Sequence, residues 1–486
     1  MNALKTKHFV SRAQRDLRLT GQICSSLLFW ALAHATLAQG YIIPDLNQSY
    51  SSSTSYGAGA LLASQVQPQP TVVTDHSTAG GISANLGNQA TMNRLASANS
   101  NATPFTIAIT QQQIADLKRR LSQTRLPDQL PDTSWEYGTD RGYLEELLDY
   151  WQNEFDWKDQ QEKLNQLDQY TMQVDDLKMH FIHQRSSNPA AIPLLLLHGW
   201  PGSISEFNHI VRPLTEPEQY AGEQADAFHI IAPSLPGFGF SGIPQRRDFN
   251  PEQMAHVVAK LMAQLGYERY GLAGGDWGAI INRHVANHYP ERLIGLHTNF
   301  VLAAEPPQDS TAGQPTEAEI ARRTGRIAFM KNEVGYQQIQ GTKPQSLGYS
   351  LNDSPAGLAA WIVEKFHGWT DMPQGTEGNL DDYISKDDIL TNISIYWFTQ
   401  TITSSSRIYF ENSQTRPQKP MGYIDVPTGA AVFPAEIYVT PKAWAEAAYD
   451  IVHWTEMPAG GHFAALEQPE SYLADVRTFF RLFRQP

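Results

Sequence analysis

YGLAGGDWGAIINRHVANH, residues 270–288, joins a short apolar segment to an amphipathic one through a turn rich in glycine. Residues 270–273 predict a strand and residues 279–288 predict a helix. The glycines of the intervening GGDWG permit a tight, strained backbone, which is the pattern of a nucleophile elbow with Asp276 at its tip. A glycine-rich turn whose aspartate only caps a helix has the same residues. Asp276 is therefore a candidate nucleophile.

Short strands and helices alternate on both sides of this turn. The runs IPLLLL (192–197) and FHIIA (228–232) are continuous and apolar, as strands buried on both faces of a parallel sheet are. Apolar residues repeat with helical spacing over 254–265, and residues 293–300 predict a further strand. This alternation predicts an α/β fold with a doubly wound, mainly parallel sheet, in which ligands bind at the carboxyl ends of the strands.

A second turn with candidate functional residues, HGWPGS (198–203), directly follows the first of these buried strands. We expect the backbone N–H groups of Trp200 and of Trp277, the residue after Asp276, to converge on one oxygen as an oxyanion hole. A Gly-Pro turn with a purely structural role is the alternative. The position of the turn, after a core strand and upstream of the elbow, favours the oxyanion hole.

A third turn, GGHF (460–463), places a histidine late in the chain. This position fits the order nucleophile, acid, histidine that such folds use. His462 is therefore the candidate base that takes a proton from water.

The acid that orients this histidine should follow a strand between the elbow and residue 462. Residues 426–432 (VPTGAAV) predict such a strand, and FPAE follows it. Glu436 is the predicted acid, and Asp425 and Asp450 are lesser candidates that are otherwise ordinary surface carboxylates.

An aspartate in place of serine at the elbow changes the reaction that the site can perform. A carboxylate that attacks a saturated carbon forms an alkyl ester. The substrate should therefore contain a strained or activated C–O or C–halogen bond rather than an amide.

The composition is that of a globular, acidic protein. Hydrophobic residues make up 41% of the 486 positions, and the formal net charge is −14. A wholly disordered or multispanning membrane protein is excluded by the first value, and the second argues against nucleic acid as a partner. No Walker loop, dinucleotide fingerprint or zinc motif is present, so no cofactor and no metal is expected. Helices over 107–126 and 143–157 and paired strands over 169–184 are predicted upstream of the core.

The N-terminal region has the composition of a targeting segment and a tether. Residues 1–38 combine a basic start with an apolar run and small residues, which predicts a signal peptide and export to the periplasm or the medium. An uncleaved anchor, with membrane association, is the alternative. Residues 39–103 are rich in Ser, Gln, Ala, Thr and Gly, which predicts a disordered linker. Cys24 is the single cysteine of the chain, so no intramolecular disulfide is possible.

Taken together, these motifs resemble the epoxide hydrolases of the α/β-hydrolase superfamily, in particular the microsomal-type branch with an N-terminal extension. The resemblance runs from about residue 104 to the C-terminus. It rests on LLLLHGWPGS, LPGFGFS, GGDWG, LNDSPAGLAAWIVEKFHGWTD, FPAE and GGHFAALEQPE.

The resemblance implies a division into domains and two further site residues. It implies an N-terminal domain over 104–180, an α/β-hydrolase core over 181–301 and 423–486, and a helical cap over 302–422. Matching by motif, it assigns Tyr336 and Tyr409 in the cap as the pair that holds the epoxide oxygen and donates a proton.

The activity implied by the resemblance is the hydrolysis of a small-molecule epoxide to a vicinal diol through an ester on Asp276. A haloalkane dehalogenase with the same nucleophile, and a secreted binding protein that uses the fold only as a scaffold, are the alternatives. The sequence specifies neither the particular epoxide nor the oligomeric state.

Overall fold

The computed structural model describes residues 101–307, 311, 313–373 and 378–484. The predicted signal peptide, and the predicted linker up to residue 100, lie outside the described residues. Nine strands of the described chain form one sheet. In chain order they are β1 (Thr103–Pro104), β2 (Gln169–Val174), β3 (Leu177–Gln184), β4 (Ile192–Leu197), β5 (Phe228–Pro233), β6 (Tyr270–Gly274), β7 (Leu293–Thr298), β8 (Ile424–Val432) and β9 (Tyr449–Glu456).

The strand order across the sheet is β1-β2-β3-β5-β4-β6-β7-β8-β9. Strands β1, β2, β3 and β5 pair antiparallel in succession. From β5 through β4 to β9 every pairing is parallel. The last four leucines of β4 are fully buried, as expected for a strand covered on both faces. The predicted mainly parallel α/β sheet is therefore confirmed.

From residue 101 onward, three α-helices precede the β2–β3 hairpin: α1 (Gln111–Leu121), α2 (Arg141–Asn153) and α3 (Trp157–Asn165). Helix α1 is shorter than the predicted 107–126 because Thr110 forms a capping box with Gln113 and sets its start. The single helix predicted over 143–157 is two helices. The side chain of Asp156 accepts the Lys158 N–H and begins the second one.

Two of the expected boundaries fall inside strands. Thr103, the last residue of the predicted linker, pairs with Thr171 of β2. The boundary expected at 180/181 lies within β3, where Phe181 pairs with Pro233 of β5. The hairpin is thus continuous with the sheet that follows it, because β3 hydrogen-bonds to both β2 and β5.

The core helices before the insert are α4 (Val211–Thr215), α5 (Pro251–Gln264) and α6 (Asp276–His288). Asn250 caps α5 by accepting the Gln253 N–H. Helix α6 begins at Asp276, three residues earlier than predicted, because the residues of the elbow already form its first turn.

Six α-helices lie in the described part of the chain between β7 and β8. They are α7 (Glu317–Glu333), α8 (Gly335–Thr342), α9 (Pro344–Leu351), α10 (Pro355–Trp369), α11 (Lys386–Thr399) and α12 (Ile402–Gln414). We call residues 302–422 the insert. Ser354 and Ser385 cap α10 and α11, and Pro344 and Pro355 stand in the first turns of α9 and α10. The insert forms several separate helices because capping side chains and N-terminal prolines begin a new helix at these positions.

The chain closes with α13 (Lys442–Ala448), α14 (Ala464–Glu467) and α15 (Pro469–Arg481). Helix α15 buries Val476, Phe479 and Phe480. Among the described residues, no helix is both long enough and apolar enough to cross a membrane.

Candidate active site

The elbow holds Asp276 in a backbone conformation that few residues adopt. Its φ is 46°, in the left-handed region, at the junction of β6 and α6. Residues other than glycine rarely occupy this region, and such outliers concentrate at functional sites. Gly199 is needed opposite, because a Cβ at that position would collide with the Asp276 carboxylate. The turns after β4 and β6 therefore meet at this side chain.

The two oxygens of the Asp276 carboxylate face different partners. Oδ1 accepts the backbone N–H of Trp200 at 2.7 Å. Oδ2 lies 3.4 Å from Nε2 of His462. Trp277 follows Asp276 in the first turn of α6, where main-chain N–H groups have no helical partner. The predicted oxyanion-hole residues thus adjoin the carboxylate that would carry the ester.

His462 is held from its other side by the predicted acid. Its Nδ1 lies 2.5 Å from Oε1 of Glu436, which also accepts the Ile437 N–H at 2.7 Å. The second oxygen of Glu436 is 3.5 Å from the side-chain amide of Asn299. Glu436 is 2% exposed, so its contact with His462 is shielded from solvent. A charged, buried orienting group of this kind fixes the tautomer of the histidine.

The two lesser acid candidates lie elsewhere. Asp425 is exposed near the start of β8, and Asp450 is half-buried at the start of β9. The structure therefore joins His462 to Glu436, as the sequence predicts.

Charge in this pocket favours a protonated histidine before any reaction. Burial opposes protonation of His462, but the carboxylates of Glu436 and Asp276 outweigh it and hold the pKa of the imidazole well above its usual value. An ester on Asp276 would carry no charge. The pKa of His462 would then fall, and its Nε2 could accept a proton from water.

Tyr336 and Tyr409 come from different helices of the insert, α8 and α12, and their rings lie 5.6 Å apart. The Tyr336 ring stacks on Trp200 at 5.2 Å, and the Tyr409 ring meets the edge of Trp277 at 4.8 Å. Each tyrosine thus packs on a residue that adjoins Asp276. The structure brings both predicted tyrosines to the elbow.

The side chains of Tyr336 and Tyr409 are both buried. Burial, with a contribution from the Asp276 carboxylate, raises the pKa of Tyr336 and of Tyr409 above the ordinary value. The buried hydroxyl of Tyr409 interacts with the side chains of Tyr336 and Trp277. The two phenol groups therefore lie close together beside the elbow.

The turn that carries His462 is tied to the insert by contacts that sequence patterns do not indicate. The His462 N–H donates to the carbonyl of Trp369 at 3.0 Å, and the Trp369 ring meets the imidazole edge-on at 5.0 Å. Asp371 accepts the Gly460 N–H at 2.8 Å. Glu467 accepts three backbone N–H groups: those of Asp371, Gly461 and Phe463.

Trp369, Asp371 and Glu467 all lie in motifs on which the resemblance rests, Glu467 in GGHFAALEQPE and the other two in LNDSPAGLAAWIVEKFHGWTD, but neither motif indicates that they meet. We call the residues 369–371, 460–463 and Glu467 the histidine clamp. The clamp fixes the base relative to the helices that carry the tyrosines.

His198, which opens the HGWPGS turn, has a structural role. Its Nε2 accepts the Leu235 N–H at 3.2 Å, and burial lowers its pKa to about 4. It stays neutral at ordinary pH and orders the turn that presents Trp200.

A group with spacing suited to a metal lies away from this site. Ligand atoms of Glu252, His284 and His288 are within 4.8 Å of one another among the described residues. Both histidines belong to α6, at least eight residues beyond Asp276, or about 12 Å along the helix. The oxygens of Glu252 already accept the N–H groups of Gln418 and Lys419 and contact His288. This group joins the end of the insert to the core.

The fold and the elbow define the protein as an α/β hydrolase. Residues 192–307 match the family described as alpha/beta hydrolase fold, and residues 102–207 match the family described as epoxide hydrolase N terminus.

Relatives define the family within that class. Epoxide hydrolase 1 of Sus scrofa is 37% identical over 79% of this chain and 89% of its own length. Juvenile hormone epoxide hydrolase 1 of Ctenocephalides felis is 33% identical over 79% of this chain and 86% of its own. The crystal structure of juvenile hormone epoxide hydrolase from Bombyx mori has a TM-score of 0.72 at 33% identity, covering 79% of this chain and 95% of that one. The chain belongs to the epoxide hydrolase family.

Proposed function

We propose that this enzyme hydrolyses epoxides to vicinal diols through a covalent ester on Asp276, with His462 and Glu436 activating the water. The observation that carries this proposal is the arrangement of the Asp276 carboxylate. One oxygen is held by the Trp200 amide and the other faces His462, while two buried phenols lie over the neighbouring tryptophans.

In the first step Asp276 attacks a carbon of the epoxide ring and the C–O bond on the far side breaks. The leaving alkoxide is a strong base and needs a proton or a hydrogen bond as it forms. Tyr336 and Tyr409 supply it, because an ordinary phenol pKa is about 10 and burial keeps both protonated at neutral pH. The product of this step is a β-hydroxyalkyl ester of Asp276.

In the second step water attacks the Asp276 carbonyl carbon and His462 Nε2 takes the proton. Esterification has removed the charge that held the histidine protonated, so the histidine releases its proton, which replaces the one that the tyrosines gave to the alkoxide. Glu436 then stabilises the imidazolium that forms again. The backbone N–H groups of Trp200 and Trp277 receive the oxyanion. Collapse of the tetrahedral intermediate releases the diol and restores the carboxylate.

The insert is, in this proposal, a cap that carries the proton donors, and residues 104–180 support it. Tyr143 and Tyr150 of α2 hydrogen-bond to Asp381 and Asp387 of the insert at 2.8 and 3.0 Å. Trp151 donates to Ser394 at 3.1 Å. These contacts favour an N-terminal domain that sets the position of the cap.

We also propose, from the sequence, that residues 1–38 direct export and that the residues from 39 up to β1 form a linker. N-terminal sequencing of the protein recovered from its native host tests this. A new terminus near residue 38 supports cleavage, whereas a retained Met1 in a membrane fraction supports the anchor.

The central test follows the fate of the ester with styrene oxide as substrate. Asp276→Ala should abolish diol formation, and His462→Gln should leave the alkyl-enzyme detectable by intact-protein mass spectrometry. Single-turnover hydrolysis in heavy-oxygen water should place label on Asp276 rather than directly in the diol. Label found in the diol alone would contradict the proposal.

The dehalogenase alternative is tested in the same samples with a chloroalkane. Trp277 could supply one halide-binding N–H group, but we expect no chloride release, since two phenols that can protonate a leaving alkoxide pack on the tryptophans beside the nucleophile. A scaffold without catalysis would give neither diol nor chloride.

A further inference from the structure

Glu206 is a carboxylic acid at the active site that the proposed reaction does not use. It lies on a short 3₁₀ helix, Ile204–Phe207, that continues the HGWPGS turn. A Cβ at Gly202 would occupy the place of its carboxyl group, so the side chain folds back over its own turn. The glycine at 202 therefore makes room for this acid, as the glycine at 199 makes room for Asp276.

The turn that presents Glu206 is held firmly by the insert. Tyr396 of α11 donates its hydroxyl to the Gly202 carbonyl at 2.7 Å, and Asn392 donates its amide to the Pro201 carbonyl at 2.8 Å. Ser203 caps the 3₁₀ helix by accepting the Ser205 N–H at 3.2 Å. The carboxyl position is thus fixed by packing rather than by solvent.

The side chain of Glu206 lines the same small cavity as Asp276 and His462. Its wall includes Glu206, Asp276, His462, Asn299 and Tyr472, and its volume is about 20 Å³. A space of this size with several polar walls holds about one ordered water. Neither of the two proton-donating tyrosines lines it, so it is distinct from the space that the phenols face.

Burial keeps Glu206 neutral before the reaction. Burial raises its pKa to about 8, the His462 cation opposes this rise, and the Asp276 carboxylate adds to it. Tyr396 and Tyr472 are the other titratable groups that interact with Glu206, and both are neutral because burial raises their pKa. A neutral carboxyl group keeps a carbonyl oxygen that accepts a hydrogen bond and a hydroxyl that donates one.

We propose that Glu206 binds and orients the water that hydrolyses the Asp276 ester. The proposal rests on the proposed function. The water donates one hydrogen bond to a Glu206 oxygen and the other to His462 Nε2, and its oxygen faces the ester carbon. On attack, the new bond joins the water oxygen to Asp276 Cγ and the proton goes to His462. The Cγ–O bond to the substrate then breaks, and the departing oxygen takes that proton from His462. The second proton of the water passes from the new Asp276 carboxyl group to His462, which restores the carboxylate and the imidazolium, and Glu206 neither gains nor loses a proton.

The test separates the two chemical steps in the full-length enzyme. Trp200 and Trp277 adjoin Asp276, so stopped-flow tryptophan fluorescence with styrene oxide should report formation and decay of the ester. In Glu206→Leu, which keeps the bulk and removes the acceptor, we expect ester formation within about 3-fold of wild type. We expect its hydrolysis to slow by about 100-fold, the cost of misplacing a reacting group.

Glu206→Gln retains an acceptor oxygen and should slow hydrolysis by only about 10-fold. Intact mass should show the ester accumulating in both variants at steady state. Glu218→Leu and Glu218→Gln, at an exposed glutamate on the next 3₁₀ helix, are matched controls and should leave both rates unchanged.

Wild-type hydrolysis of the ester by both Glu206 variants would overturn the inference, as would an equal slowing of both steps. If Glu206→Leu does not fold, the ratio of the two rates in Glu206→Gln decides. Failure of the proposed function is a different result: His462→Gln would then gain no ester mass, whatever residue stands at position 206.

Discussion

Asp276 and His462 form a coupled pair whose charges change during the proposed cycle. The carboxylate raises the pKa of the histidine before reaction, and esterification would remove that influence. His462 would therefore lose the charge that keeps it protonated in the same step that forms the ester on which it acts. A serine at the elbow could not do this, because it carries no charge to lose.

This coupling predicts that Asp276→Asn lowers the pKa of His462. The direction follows because the variant removes one of two carboxylates that favour the imidazolium and leaves Glu436 in place. Titration of the His462 ring proton by NMR should show the change. Glu470→Gln, at an exposed glutamate of α15, is the control and should leave the titration unchanged. An unchanged pKa in Asp276→Asn would contradict the assigned contact.

The two phenols lead to a prediction for the first chemical step. Tyr336→Phe and Tyr409→Phe should each slow ester formation by about 100-fold, and the double variant should slow it further, since proton donation is worth about 10²–10⁴-fold. Rapid-quench measurement of the ester gives this rate. Tyr349→Phe, at an exposed tyrosine of α9, should have no effect. Equal losses in all three variants would indicate a general effect on the insert instead.

At the scale of helices and strands, the histidine clamp sets the position of His462 relative to the insert. Glu467 joins α14 to the segment after α10 and to the His462 turn through three backbone N–H groups. Burial raises its pKa to about 7, and these three donors oppose the rise. A half-neutral acid at ordinary pH still accepts hydrogen bonds, so the clamp holds in either protonation state.

We predict that Glu467→Ala lowers kcat by about 100-fold while the variant still folds, because a misplaced base costs about that factor. The free energy of unfolding should fall by about 1–3 kcal/mol, since buried N–H donors lose their acceptor. Steady-state kinetics and urea unfolding measure the two effects. Glu456→Ala, at an exposed glutamate that ends β9, serves for comparison and should keep wild-type kcat. Unchanged kcat in Glu467→Ala would show that the clamp does not position His462.

Across the described chain, Asp475 links the last long helix to the sheet. It accepts from His297 of β7 at 2.8 Å and from His453 of β9 at 2.7 Å. Burial opposes its ionisation, but these hydrogen bonds outweigh burial and hold the pKa of the carboxyl far below its usual range. The C-terminal helix is therefore attached by a buried charge as well as by apolar packing.

The stability of the molecule should depend on acid accordingly. A carboxyl whose pKa is depressed by folding stabilises the native state above its unfolded pKa of about 3.9, and the stabilisation is lost as pH falls below that value. Asp475→Asn should thus cost about 3 kcal/mol at pH 7, as for a broken buried pair, and a smaller but still clear amount at pH 3, because the folded carboxyl is still ionised there. Urea unfolding at both pH values measures the difference. A cost that stays constant with pH would contradict this account.

Local patterns in the sequence were sufficient for the sheet and the elbow but not for the site's supports. Strands β4 to β7 carry their own apolar signals, and the order of Asp276, Glu436 and His462 along the chain indicated the triad. The starts of α1 and α3 differed because capping side chains at Thr110 and Asp156 override apolar spacing.

The supports come from contacts between distant parts of the chain. Asp371 and Glu467 meet across 96 residues, and no spacing rule links them. Tyr336 and Tyr409 lie on separate helices, so only resemblance to a family could select them. The role of Glu206 depends on a cavity, which exists only once three turns have converged.

The histidine clamp also has a consequence for how molecules enter and leave. Because main-chain hydrogen bonds fasten the insert to the base at residues 369–371, that rim of the pocket cannot swing open without displacing His462. Substrate and diol must then pass where the insert is not fastened to the histidine turn. Side chains that govern which ligands are admitted, and how quickly the diol departs, should accordingly be sought away from residues 369–371.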